Sequence, residues 1–170
     1  YLDGSGDGYV KLTDANGDSL FAGRDEITVS FKVKPATSDT SWWLFAAPND
    51  NEQKFEQEHY IGLLGQSVLT AERYNSGSRP VNASAQYNIN EWNDVIVSFG
   101  ADSTSIYING TKVSEQASEY SLADILGTSP VAYIGHANWG AGEYANGYID
   151  DFIIYDMAVP SIDLGDLSDV

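Results

Sequence analysis

The sequence predicts an all-β fold, an antiparallel sandwich of two face-to-face sheets, and three observations carry that reading. Hydrophobic periodicity is two nearly throughout, the spacing of half-buried strands. The apolar runs are short and stop at Gly, Pro, Asn or Asp, as strands joined by turns do. Asn109-Gly110 stands between two such runs, a strong hairpin signal because both central residues of a type I′ turn need positive φ.

The elements follow in order. In 27-ITVSFKV-33, Ile27, Val29, Phe31 and Val33 alternate with Thr28, Ser30 and Lys32, so one face is buried and one is wet. Strands are expected at 42-WWLFAA-47, 59-HYIGLL-64, 67-SVLTAERY-74, 94-DVIVSF-99, 104-TSIYI-108 and 111-TKVSEQ-116, then at 131-VAYIG-135 and 148-YIDDFIIY-155. Only 121-SLADILG-127 reads as helix, with Ser121 as its cap and Gly127 as its stop. No repeat or linker divides the chain, so 170 residues are expected to form a single domain over 1–170, excised from a larger extracellular protein. Trp92 is expected in the core.

Eight Lys and Arg against 25 Asp and Glu give a net charge of −17. Such a surface repels nucleic acid and anionic membranes and favours hard cations. No apolar run approaches the ~18 residues of a membrane span, so no membrane insertion is expected. No cysteine is present, which excludes disulfides and thiolate metal sites.

The opening stretch 3-DGSGDGYVKLTD-14 has the oxygen spacing of an EF-hand loop, with Asp3, Ser5, Asp7, Gly8 and Asp14 near the required positions. An EF-hand needs a helix on each side. Only Tyr1 and Leu2 precede the loop, and Asn16-Gly17 and Gly23 break any helix after it. The loop is therefore expected to belong to another fold.

Taken in order, 2-LDGSGDGYVKL-12, 26-EITVSFKVKP-35, 91-EWNDVIVSF-99, 105-SIYINGTKV-113, 133-YIG-135 and 147-GYIDDFIIYDMAV-159 resemble the laminin G-like branch of the concanavalin A-like jelly rolls. The resemblance implies a jelly roll with one curved sheet. It implies a binding module, often for a poly- or oligosaccharide, attached to other domains of a secreted or cell-surface protein. It also implies one structural calcium ion (Ca2+) near the meeting of the first and last strands. The alternative is a protein-binding adhesion module, which a flat apolar patch of several hundred Å² would mark.

The last strand supports a metal site on its own residues. The apolar spacing Ile149, Phe152, Ile154 breaks strict alternation, so a β-bulge at Asp150-Asp151 is expected to restore the phase and turn one carboxylate inward. A buried carboxylate needs a counter-charge, and this segment contains no Lys or Arg. Asp151 is the first choice of ligand and Asp150 the second. Asp3 and Asp7 join it from the opening loop, with nearby carbonyls completing the oxygen shell.

No catalytic set emerges. The Glu-x-Asp-x-x-Glu pattern of jelly-roll glucanases is absent, and Glu52, Glu56 and Glu58 lie in a polar stretch that reads as loop. His59 and His136 have no Gly-x-Ser-x-Gly elbow to serve. The chain is expected not to be an enzyme. Binding is expected instead from its four Trp and eleven Tyr, more than a core of this size easily satisfies. Adjacent Trp42 and Trp43 must point to opposite faces of a strand. Trp43, Tyr74 and Trp139, with Arg73 and His136, are expected to line one ligand site on the curved sheet or its rim loops.

Overall fold

A computed structural model describes residues 1–48, 59–75, 78–139 and 142–158, and within it the side chains of all but 78–81. Glu52, Glu56 and Glu58, in the polar stretch read as loop, fall outside the described residues. Twelve strands and one helix occur among the described residues. They are β1 (Leu2–Asp3), β2 (Val10–Lys11), β3 (Ile27–Pro35), β4 (Ser41–Ala47), β5 (His59–Gly65), β6 (Leu69–Asn75), β7 (Ser78–Ala85), β8 (Asn93–Phe99), β9 (Ser103–Ile108), β10 (Thr111–Ala117), α1 (Leu122–Leu126), β11 (Val131–Ile134) and β12 (Asn146–Tyr155).

They form two antiparallel sheets of six strands each. The first runs β1-β12-β3-β8-β9-β10 and the second β2-β11-β4-β5-β6-β7. The alternation read in the sequence decides which side chains meet between them. Ile27, Val29, Phe31 and Val33 of β3 pack with Val95 and Val97 of β8 and Ile106 of β9, against Ile61, Leu63, Leu69 and Ala71 of the second sheet. Each fully buried side chain of this kind contributes about 1.5–3 kcal/mol.

The local signals hold. Asn109 and Gly110 sit at φ 49° and 79°, turning β9 into β10. Ser121 caps α1 in a reciprocal box with Asp124, and Gly127 ends the helix at φ 65°, leaving Leu122, Ile125 and Leu126 to seal the core. Strand β7 was not expected. It forms the edge of the second sheet, where Pro80 is tolerated because an edge N–H need not pair.

Trp92 corrects the expectation of a core residue. It precedes β8 and is 49 % exposed, because buried Asn93 takes the inward place beside it. Asn93 accepts from the Asn88 N–H at 2.8 Å and donates to the Asn88 and Glu91 carbonyls at 2.9 Å each. The turn is thereby fixed with Trp92 on its outer side.

Candidate functional site

The outer face of the second sheet carries an aromatic cluster where an exposed sheet face is ordinarily polar. Its centre is β4. The pairing of β4 with β5 slips between Trp42 and Leu44, and this bulge reverses the alternation. Trp43 and Leu44 both enter the core, while Trp42 and Phe45 both face outward. From β5 comes Tyr60, from β6 Tyr74, from β11 Tyr133, and from the following loop Trp139.

The rings order one another. Trp42 meets Phe45, Tyr60 and Trp139 edge-on, with centroids 5.4, 5.7 and 5.4 Å away. Tyr60 stacks on Tyr74 at 5.1 Å, the planes 13° apart. Gly62 lies beneath Trp42, and a Cβ there would collide with the indole. The missing side chain is what lets the ring lie on the sheet.

Two carboxylates anchor the polar edges of these rings. Glu72, only 2 % exposed, accepts from the Tyr60 hydroxyl at 2.7 Å. Glu143 Oε2 accepts from both indoles, Trp42 at 3.0 Å and Trp139 at 3.2 Å. Backbone bonds fasten the loop to the strand as well, from the Trp42 N–H to the Glu143 carbonyl and from the Gly135 N–H to the Trp42 carbonyl, both 3.1 Å. Glu143 adopts φ 64° in doing so. At the neighbouring rim His136 lies between Tyr9 and Tyr133, with centroids 4.2 and 4.6 Å away.

Of the five expected ligand residues, this face brings together Tyr74, His136 and Trp139. Trp43 and Arg73 face the other way. Trp43 has no exposed surface because the β4 bulge turns it into the core. Arg73 follows Leu69 and Ala71 on the inward side of β6 and is equally buried. Its Nε donates to Thr104 Oγ1 at 2.8 Å, Nη1 to the Tyr120 carbonyl at 2.6 Å and Ser118 Oγ at 3.4 Å, and Nη2 to the Gly100 and Ser103 carbonyls at 2.5 and 2.9 Å. Burial pushes its guanidinium down to about 10, against the pull of Asp102 and Glu26. The charge is spread over fixed oxygens of β9 and of the segments flanking the first sheet's strands, so Arg73 ties the second sheet to the first instead of meeting a ligand. Glu72, Glu143, Trp42, Phe45, Tyr60 and Tyr133 are not among the five residues expected from the sequence. Glu72 could have been found from its place between inward Ala71 and Arg73.

The expected metal set also separates. The bulge is present, with a register shift between Asp150 and Ile153 and Asp151 at φ 49°. It turns Asp151 outward, where its carboxylate meets Lys32 Nζ at 2.6 Å. The counter-charge comes from the adjacent strand and raises the Lys32 ammonium above its ordinary range. Asp3 pairs with Asn146 at the other end of β12, roughly 16 Å from Asp151 at about 3.3 Å per residue. One ion cannot bind Asp3, Asp7 and Asp151 together. Among the described residues no three His, Asp or Glu side chains converge to hold a metal ion.

With this geometry in place, comparison with known proteins is decisive for the family. A model of the concanavalin A-like lectin/glucanase superfamily matches residues 3–162. The chain belongs to that superfamily. No curated protein sequence matches it. Among solved structures it is similar to Domain 4 of AbnA, a GH43 extracellular arabinanase from Geobacillus stearothermophilus, in complex with arabinotriose. That match has 21 % identity and a TM-score of 0.65 over 98 % of this chain and 86 % of the other. It is also similar to the Ruminococcus gnavus IT-sialidase CBM40 bound to α2,3 sialyllactose, at 16 % identity and TM-score 0.68 over 82 % and 80 %. The NanB sialidase of Streptococcus pneumoniae matches at 13 % identity and TM-score 0.71. All of this chain is covered, but only 28 % of the sialidase, so the chain spans about a quarter of that enzyme. At these identities the likeness shows the fold, a lectin-like jelly roll. No helix among the described residues is long and apolar enough to cross a membrane.

Proposed function

We propose that the chain is a non-catalytic carbohydrate-binding module of a secreted or cell-surface protein, attached there to further domains. It takes an oligo- or polysaccharide on the outer face of the second sheet, against Tyr74 and the rim formed by His136, Tyr133 and Trp139. The observation that carries this reading is the ring cluster itself. Trp42, Tyr60 and Trp139 are locked by mutual contacts and by two carboxylates, so the partly buried Tyr74 is presented on a rigid base. Aromatic faces stack on the C–H side of a sugar, and a ring already ordered loses little entropy on binding. Sugar complexes of the AbnA domain and of CBM40 support the same reading.

A non-catalytic role fits the two acids. Glycosidic cleavage needs one carboxyl group to protonate the leaving oxygen and another to attack or activate water. Glu72 and Glu143 instead spend acceptor capacity on Tyr60 and on the two indoles. Binding to an array of neutral and acidic glycans, repeated with Tyr74→Ala and accompanied by an assay for reducing-sugar release, tests both parts.

A structural calcium ion is proposed for the opening loop alone, without Asp151. Asp3 is held below the usual carboxylate range by the Ser5 hydroxyl and N–H, so it stays ionised. Opposite it, Asn146 Oδ1 is buried with no hydrogen-bond partner. A hard cation would satisfy that oxygen, with Asp7, loop carbonyls and water supplying the remaining donors.

A further inference from the structure

We infer a second, independent sugar platform on the outer face of the first sheet, where Trp92 and Tyr148 flank Lys34 and stack against a neutral pyranose. The pairing places Tyr148 opposite Lys34 on one side, and Asn93 opposite Val33 on the other. Trp92, one residue before Asn93, thus reaches the same spot from the far strand. The Trp92 and Tyr148 centroids are 6.3 Å apart with planes at 55°. Tyr1 packs on Tyr148 at 4.8 Å and 45°. The three rings are 49, 47 and 69 % exposed for Trp92, Tyr148 and Tyr1.

Trp92 is a positioned side chain. Asn93, with no exposed surface, ties the Asn88–Glu91 turn to itself. The Asn90 N–H bonds to the Pro35 carbonyl at 2.8 Å, and Asn90 adopts φ 63°. A tightly built turn therefore holds an indole out in water. Exposed grouped aromatics on a rigid scaffold mark a binding surface.

The size of the patch selects the occupant. Fully burying an aromatic residue covers about 150–250 Å², so these exposures leave about 250–400 Å² to cover. A stable protein interface needs about 800 Å² on each partner, which this patch does not approach. Its growth along the strands is stopped by charge: Asp94, Asp150 and the Lys32–Asp151 ion pair all lie on the same outer face. A single sugar unit or two fits the space. Lys34 forms no ion pair among the described residues and can donate to ring hydroxyls. Three aspartates beside two lysines, on a chain of net charge −17, disfavour a polyanionic glycan.

The test uses the Tyr74→Ala chain, so that the second-sheet site is already weakened, on an array of neutral and carboxylated oligosaccharides. At least one neutral glycan is expected to remain bound. Adding Trp92→Ala or Tyr148→Ala should weaken that binding fivefold or more with the melting temperature unchanged, since both rings are half-exposed. Trp92 is also the exposed one of the four tryptophans, the others being at most 5 % exposed. The bound glycan should therefore cut caesium quenching of fluorescence at least twofold. Loss of all neutral binding in Tyr74→Ala, or binding indifferent to Trp92 and Tyr148, overturns the platform. So does a dimer that Trp92→Ala dissolves. Binding lost with Trp92 but untouched by Tyr74→Ala would instead retain this platform and remove the second-sheet site.

Discussion

Tyr60 lies almost flat against Tyr74, their ring centroids 5.1 Å apart and their planes 13° from parallel. The inner ring is 4 % exposed and its hydroxyl is held by Glu72, while the outer ring, Tyr74, is partly buried against the cluster. The stack passes the rigidity of the buried cluster to a ring that a ligand can reach. A favourable aromatic pair contributes about 0.5–1.5 kcal/mol beyond its buried area, and sugar stacking on Tyr74 is expected in that range. Tyr74→Ala should weaken glycan affinity about 2- to 10-fold, measured by calorimetry, with the fold intact. Tyr74→Phe should retain most of the affinity.

Glu143 holds two indoles on one carboxylate oxygen, and each is a hydrogen bond to a charged acceptor. Such bonds contribute about 1.5–3 kcal/mol. Glu143→Ala should release Trp139 and its loop, lower the denaturant midpoint and diminish the near-ultraviolet circular dichroism of the tryptophans. Glu143→Gln, which keeps an acceptor oxygen, should lose distinctly less. Equal effects of the two substitutions would contradict a role for the shared oxygen.

Arg73 is expected to behave as a structural residue. Arg73→Met strands the Gly100, Ser103 and Tyr120 carbonyls that it now satisfies, and each unsatisfied buried acceptor costs about 1–3 kcal/mol. Urea unfolding should show a loss of about 3 kcal/mol or more. The glycan affinity of whatever fraction remains folded should be unchanged. A selective loss of affinity without loss of stability would return Arg73 to the ligand site.

For calcium, the opening loop and the last strand make opposite forecasts. With free calcium at about 100 times its dissociation constant the stability gain is roughly 2.7 kcal/mol, a melting shift of about 5–11 °C for a domain of this size. Asp3→Ala and Asn146→Ala should abolish the shift. Asp151→Ala should leave it in place, because Asp151 is engaged with Lys32. No shift on adding EGTA to metal-loaded wild-type protein would remove the ion altogether.

What was legible in the sequence was local. The Ser121 cap, the Asn109-Gly110 turn and the bulge at Asp150-Asp151 each follow from a few neighbouring residues, and each is present. What was not legible depends on partners far along the chain. Lys32 neutralises Asp151 from 119 residues away, so a reading confined to the last strand found no cation and called for a metal. The β4 bulge exchanges the faces of residues on either side of it, and simple alternation could place one of Trp42 and Trp43 outside without saying which. Arg73 was misread because its chemistry outweighed its phase. Leu69, Ala71 and Arg73 share one side of β6, and that side is the core.

The central claim is that the outer face of the second sheet binds sugar, and mapping amide and indole NMR shifts tests it most directly. The isolated chain, titrated with the strongest neutral ligand from the array, should show saturable shifts at Gly62, Glu72, Tyr74 and His136. The indole N–H signals of Trp42 and Trp139 should move with them, at one common dissociation constant. Tyr74→Ala should move that constant upward for all of these signals together. Saturable binding that leaves every one of those signals in place would contradict the assignment of this face.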